Sequence, residues 1–474
     1  ILRRAVRDLQ RVPDSPRPIV VDGTRLELGP ADVREAIGRA RRSGRPHNLA
    51  RETFVLWLLE RLTDQLASAT HQDASDPDAR AWIRESIRTA RDARREINLC
   101  WMPTTPVGLL ERLWARPALL ERLAPELGAA DRALVERAAG AEPTPADVPL
   151  IDELAELLGP SQDAQAHRAR LEAHRRRELV SYAAEAIEAQ NLGEGMVDAE
   201  MLADRVEDSG PSLTLAERAR ADRTWTYGHI VVDEAQELGD MAWRALARRC
   251  PVRSFTVVGD LAQYSGPNAP RSWMDVLASL GTRARTGAAS TPVRQEALTV
   301  CYRTPATIMA AAEDVATALG QPPVFPVRSV RDLEDCLVID APLDAGDAHG
   351  EDAWGQVLRT AVRQESDALD GLVGRDGGRI AVITPRPEQD AALLKEDPAL
   401  LQALTAPGGD VLRSRLAVMA PRLSKGLEFD VVVLVDPAVV GEASPGDLYV
   451  AMTRPTRRLR VVSRGPLPAG LRRP

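Results

Sequence analysis

The sequence predicts an α/β protein with mostly parallel sheet covered by helices, and three observations predict it. Two short β-branched runs, Ile230-Val231-Val232 and Phe255-Thr256-Val257-Val258, each deliver an acidic residue at their C-terminal end. That is where the loops of an open α/β sheet hold ligands. From about 291 to 474, strand-like runs alternate with helical ones, the rhythm of a parallel sheet. Between residues 76 and 190 that rhythm gives way to helix alone, as expected of an inserted helical module.

Taken in order, residues 1–75 open with a helical piece, Ile1 to Gln10, and a Pro-rich link. Ile19-Val20-Val21, Asp22-Gly23 and Thr24 to Leu28 predict a small hairpin on a favoured two-residue turn. Pro30 starts a helix to about Arg42, and Leu49 to Ala67 reads as a second, with Phe54, Leu58, Leu59 and Leu62 at helical spacing. The helical insertion is drawn at 76–180, with joints at Trp101–Pro106 and Pro143–Pro145 and apolar positions around Trp82, Trp101 and Trp114. Its arginine runs, Arg168-Ala169-Arg170 and Arg175-Arg176-Arg177, are interleaved with Glu172 and Glu178 and read as a solvated helix face. Residues 181–290 return to α/β rhythm. Over 291–474 the strand candidates are Leu337–Ile339, Ile380–Thr384, Leu416–Ala420, Val431–Val435 and Leu459–Val462, with a helix at Trp354–Gln364 and loops at 340–350 and 405–410.

At 474 residues the chain can bury more than one core. It begins at Ile1 rather than Met, which suggests a fragment or processed product. No leader and no apolar run of about 18 residues is present, so a soluble, cytoplasmic protein without a membrane partner is expected. The cysteines Cys100, Cys250, Cys301 and Cys336 lack metal-ligand spacing and read as buried thiols. A net charge of −8 argues against a surface that grips nucleic acid throughout, although a local basic groove can hide within it. Aromatics are 4% of the chain, leaving few base-stacking platforms.

The chemistry concentrates in five stretches. Asp233-Glu234-Ala235-Gln236 ends the first run, and Gly259-Asp260 with Gln263 ends the second. An Asp-Glu pair at a strand end suits nucleotide hydrolysis, one carboxylate holding Mg²⁺ and its neighbour activating water. Tyr302-Arg303-Thr304-Pro305 places an arginine between a strand-like run and a helix, and Tyr449-Val450-Ala451-Met452-Thr453-Arg454 places another near the end of the chain. A rigid, permanently charged guanidinium fork suits charge building on a phosphoryl group. Ser424-Lys425-Gly426-Leu427-Glu428-Phe429-Asp430 precedes a strong strand. Each alone is weak.

In this order DEAQ, GDxxQ, YRTP, KGLEFD and VAMTR resemble motifs II to VI of superfamily 1 helicases of the UvrD/Rep type, over roughly 225–465. The resemblance implies two RecA-like P-loop NTPase motor domains, the first incomplete, flanking an ATP and Mg²⁺ site. By motif it makes Asp233 the metal residue and Glu234 the general base, with Gln236 and Gln263 sensing the γ-phosphate. It makes Arg303 and Arg454 arginine fingers and Glu428 a ribose contact, with Asp260, Lys425 and Gly426 also on the nucleotide side.

The departures narrow the family. No G-x-x-x-x-G-K-[ST] occurs, so the phosphate-cradling loop is expected upstream of Ile1 and the chain alone is expected to be inactive. After Gln263 the strand-stacking pattern of DNA helicases is replaced by Tyr264-Ser265-Gly266-Pro267-Asn268. Ala420 and Arg422 stand where motif V of DNA helicases commonly has Thr and His, and the stretch from Arg303 to Lys425 is too short for their large inserted domain. These features, with Trp101–Leu110, Ala146–Glu153 and the Cys301–Pro305 stretch, resemble the HelD family of RNA-polymerase-associated helicase-like ATPases. Core RNA polymerase is then the implied partner, with DNA or RNA possible. Two other readings stay open: a 3′→5′ DNA helicase of repair or recombination, and a polymerase-binding module with a vestigial ATPase.

Overall fold

The computed structural model describes residues 1–72, 75–160, 174, 176–177, 180–182, 184, 214–266, 270, 272–280, 293–340, 351–375, 377–404 and 414–472. The Arg168–Arg170 run, Arg175, Glu172, Glu178, Pro267-Asn268 and the predicted loops over 341–350 and 405–410 lie outside the described residues. The chain divides into two units, Ile1–Trp225 and Thr226–Pro474.

In the first unit, helix α1 (Leu2–Arg7) precedes a hairpin of β1 (Arg17–Val21) and β2 (Thr24–Leu28). Val21 pairs with Thr24, and Asp22 and Gly23 both take positive φ, 46° and 81°, as a two-residue primed turn requires. Alternation puts Ile19, Val21, Leu26 and Leu28 on one face, and all four are buried. They meet α2 (Pro30–Arg42) and α3 (His47–Thr70), which carry Val33, Phe54 and Leu58, and Ile83, Ile87 and Ile97 from α4 (Pro77–Thr89) and α5 (Arg91–Cys100). A second core joins α1 to α6 (Pro106–Trp114), α7 (Pro117–Leu123) and α9 (Val148–Leu158) through Val6, Leu113, Leu120 and Leu154. Trp101 and Trp114 belong to these cores at 0% and 9% exposure, whereas Trp82 stands 61% exposed.

The joint predicted at Pro143–Pro145 is present and wider than expected. After α8 (Ala129–Val135), residues 136–147 form no α-helix and only a single 3-10 turn at Pro145–Asp147. Gly140, Pro143 and Pro145 oppose helix there, and Asp147 gathers the loop instead. Its carboxylate accepts both Nη atoms of Arg137, at 2.5 and 3.1 Å, and the Thr144 N–H and hydroxyl. Burial alone would raise this carboxyl, but the Arg137 and Thr144 bonds outweigh it and hold it at about 2. A depressed carboxyl contributes stability above its unfolded value near 4 and loses it as pH falls through about 2, worth about 2 kcal/mol. Asp147→Asn is therefore expected to lower the urea midpoint of this unit at pH 7 and to flatten its acid sensitivity between pH 4 and 2. Equal urea midpoints for both proteins at pH 7 would refute the assignment.

The second unit holds a five-stranded, wholly parallel sheet in the order β7-β11-β10-β8-β9. The strands are β7 (Leu337–Ile339), β8 (Ile380–Ile383), β9 (Leu416–Met419), β10 (Phe429–Val435) and β11 (Pro455–Val462). All five predicted runs are strands, and the predicted helix extends over Glu351–Val373. The central β10 is buried almost throughout because helices cover both faces, with separate cores on each. Two shorter parallel pairs precede it in sequence: β3 (Ile230–Val232) with β4 (Phe255–Val257), and β5 (Val300–Cys301) with β6 (Arg328–Ser329). Among the described residues no helix is long and apolar enough to cross a membrane.

Candidate active site

The site starts where β3 and β4 end side by side. Asp233 is exposed, and its Oδ1 accepts the Glu234 N–H at 2.9 Å. Glu234 sits in the left-handed region, φ 50° and ψ 38°, a strained setting for a non-glycine residue and one that concentrates at functional sites. Gln236 is 2% exposed and bridges the two strand ends. Its Nε2 donates to Glu234 Oε2 at 2.7 Å, and its Oε1 accepts the Asp260 N–H at 3.2 Å. Gly259 is required for this approach: a Cβ there would stand 2.2 Å from Gln236 Oε1 and 2.8 Å from Trp273.

Asp260 passes the chain on. Its Oδ1 accepts the Ala262 N–H, and its Oδ2 accepts Gln263 Nε2, each at 3.0 Å. Gln263 Oε1 in turn lies 3.4 Å from Nη2 of Arg454. A continuous path thus runs Glu234–Gln236–Asp260–Gln263–Arg454, joining motifs far apart in sequence.

Arg454 follows the helix Pro445–Met452 and is 3% exposed. Its Nε donates to the Val450 carbonyl at 3.1 Å and its Nη1 to that of Leu427 at 3.4 Å. Burial, and then neighbouring Arg303, push it down to about 10, while Glu234 and Glu428 oppose the shift. It therefore stays charged at neutral pH, with Arg303, Glu234 and Glu428 inside its field. Arg303 is half-buried, and its Nε is enclosed without an acceptor among the described residues. An enclosed N–H with no partner is costly, and a phosphate oxygen would satisfy it. Thr304 Oγ1 donates to the Thr453 carbonyl at 3.0 Å, which ties the Arg303 segment to that of Arg454.

Lys425 has its three donors occupied by protein: Glu237 Oε1 at 2.6 Å, the Gln263 carbonyl at 2.6 Å and Ser265 Oγ at 2.5 Å. It bridges the loops after β3 and β4 to the turn before β10. Gly426, at φ 72°, makes that turn, and Glu428 is exposed beside it.

Several participants escape a sequence reading. Glu237 receives Lys425; Ser265 Oγ donates to Asp447 at 2.5 Å; Gln321 Nε2 lies 3.0–3.2 Å from the carbonyls of Leu261, Ala262 and Tyr264. Gly446 is forced, because a Cβ would come within 1.9 Å of the Tyr264 carbonyl oxygen. Glu237 directly follows DEAQ and could have been flagged as a fifth motif position. Gln321 and Gly446 carry no local signal at all.

Mg²⁺ takes few protein ligands where substrate phosphates and water supply the rest, so one exposed carboxylate, Asp233, suits it. Among the described residues no group of three or more His, Cys, Asp or Glu side chains could form a closed metal cage.

No protein-family model matches the chain, and no curated protein matches it. Among solved structures it is similar to the C-terminal domain of a possible DNA helicase from Lactobacillus plantarum WCFS1, at 20% identity and a TM-score of 0.24, over 36% of this chain and 92% of that one. It is also similar to the PRRSV helicase, at 14% identity and a TM-score of 0.27, over 49% of this chain and 34% of that one. A second structure, PRRSV nsp10 (helicase), gives 12% identity and a TM-score of 0.16, over 49% and 35%. The chain thus spans about a third of each PRRSV chain it matches.

Proposed function

We propose that this chain is the hydrolytic part of an ATP-dependent, helicase-like motor of superfamily 1 that remodels complexes of RNA polymerase with nucleic acid in the cytoplasm. The observation that carries the motor reading is the unbroken hydrogen-bond path from Glu234 to Arg454. Asp233 would hold Mg²⁺, which would offset charge on the phosphates. Glu234 would take the proton of the attacking water, and Gln236 and Gln263 would register the γ-phosphate. Arg303 and Arg454 would stabilise charge on the transferring group. Lys425 would act as a positioning residue. No phosphate-cradling loop with its lysine occurs within these 474 residues. The chain alone is therefore expected to show no measurable ATP turnover; turnover, or micromolar ATP affinity, would refute that.

The polymerase reading is favoured over a strand-translocating DNA helicase by the residues after Gln263. Ser265 Oγ is engaged by Lys425 and Asp447, and the Tyr264 ring lies so close over Gly266 that a Cβ there would stand 2.4 Å from its hydroxyl, an arrangement unlike an open stacking surface. The partner surface is sought at exposed apolar positions of the helical unit, Trp82 at 61% and Leu134 at 82%. A specific interface there should bury at least about 1,000 Å² and centre on such an anchor. The protein is expected to co-migrate with core RNA polymerase on a sizing column, and W82R/L134E is expected to weaken that complex. No complex, alongside efficient unwinding of a tailed DNA duplex, would favour the DNA-helicase reading instead.

A further inference from the structure

The first unit carries a group of arginines that the motor reading does not use. Asp8, at the end of α1, takes Nη2 of Arg122 at 2.7 Å and Nη2 of Arg11 at 3.4 Å. Residues 9–11 run antiparallel to 100–102: the Arg11 N–H donates to the Cys100 carbonyl at 2.8 Å and the Met102 N–H to that of Leu9 at 3.1 Å. This pairing sets Arg11 opposite Cys100 and Leu9 opposite Met102, and Arg112 of α6 reaches the Met102 sulfur at 4.0 Å. Arg116, at the start of α7, is exposed, and Nε of Arg112 is enclosed with no acceptor among the described residues.

The carboxylates of α6, α7 and the turn after α7 are engaged elsewhere. Glu111 accepts the Gly140 N–H at 2.8 Å, Glu121 pairs with Arg132 at 3.3 Å, and Glu126 pairs with Arg4. Arg11 and Arg122 share the carboxylate of Asp8, and Arg112 lies within the field of all three and of Arg116. Burial first, and then repulsion from Arg116, Arg11 and Arg122, hold the Arg112 guanidinium below its ordinary value, with Asp8 opposing. In a chain of net charge −8 this is a local concentration of the opposite sign.

We propose that Arg112 and Arg116, flanked by Arg11 and Arg122 on Asp8, form a binding surface for the phosphate backbone of nucleic acid on the first unit. Guanidinium forks match phosphate oxygens two at a time, and a phosphate oxygen would supply the acceptor that Arg112 Nε lacks. A protein interface would want aromatic or aliphatic bulk at its centre, and the cluster offers Met102, 39% exposed. Phosphate contact reads no sequence, so the surface would position a duplex or strand without selecting it.

The test measures fluorescence anisotropy of a short fluorescein-labelled DNA duplex with the 474-residue chain across a salt series, without ATP or polymerase. Its outcome is thus independent of whether the motor reading holds. Binding is expected to weaken with salt, and R112Q/R116Q is expected to weaken it at low salt and lower the slope of log K against log salt by about two. Asp8→Asn removes the carboxylate that pairs with Arg11 and Arg122 and is expected to tighten binding, a gain that misfolding cannot imitate. Unchanged affinity and slope in R112Q/R116Q overturn the proposal. So does displacement of the duplex by poly-glutamate at matched charge, which would assign the surface to an acidic protein segment.

Discussion

In a protein that joins this chain to a phosphate-binding loop, Glu234→Gln is expected to abolish ATP hydrolysis while leaving ATP binding largely intact. The substitution keeps volume and keeps an oxygen to accept the Gln236 amide, now 2.7 Å from Glu234 Oε2. The left-handed backbone at 234 is set by the turn around it and is unchanged. What disappears is the basic carboxylate. General-base assistance alone is worth about 10² to 10⁴ in rate, and water held without a proton acceptor has no other carboxylate on this path in position to replace it. Asp233 would be engaged with metal, and Asp260 is bonded to Ala262 and Gln263. Phosphate release and nucleotide binding measured on the same preparation decide the matter. Turnover at the parent rate would remove Glu234 from the chemistry.

Arg454→Ala is expected to lower turnover by about three orders of magnitude or more, the scale of an arginine finger. The geometry argues for a role beyond packing. A guanidinium 3% exposed is held against desolvation by two backbone carbonyls, with one Nη left toward Gln263 and no carboxylate among the described residues bonded to it. A structural arginine this deep would ordinarily be paired with an acid, since isolated buried charge is costly. Truncation would also free the Val450 and Leu427 carbonyls, so loss of stability must be separated from loss of chemistry. Arg454→Lys does this: it keeps the charge but not the planar fork. It should restore the unfolding midpoint more than it restores turnover. Equal recovery of both, or parent-rate hydrolysis by Arg454→Ala, would mark the residue as structural.

Most of what was legible in the sequence was local. The hairpin turn was readable from Asp22-Gly23, because positive φ at two successive positions restricts residue choice. The central strand of the larger sheet was readable because a strand covered on both faces must be apolar without interruption, as Val431–Val435 is. The candidate site residues were found as motifs, each attached to a strand end or helix start that its own neighbours predict. The break in helix over 136–147 was partly readable, since Pro143 and Pro145 mark it. The Arg137–Asp147 pair that organises it spans ten residues and has no periodic signature.

What the sequence determined by itself was the α/β class and the chemical types gathered at 233–236, 259–263, 303, 425–428 and 454. What only the tertiary structure decided was which of them meet, and through what. Gln236 becomes a bridge because Gly259 lets two strand ends close to hydrogen-bond distance. Lys425 becomes a tie to Glu237 and Ser265 across 188 and 160 positions of sequence, and Gln321 braces a loop 57 positions before it. Trp101 and Trp114 become core rather than surface because the bridged segment after α5 and the end of α6 turn them inward. The physical reason is the same in each case. Periodicity and turn chemistry act over a few residues, whereas burial and charge pairing depend on distances that exist only after the chain has closed.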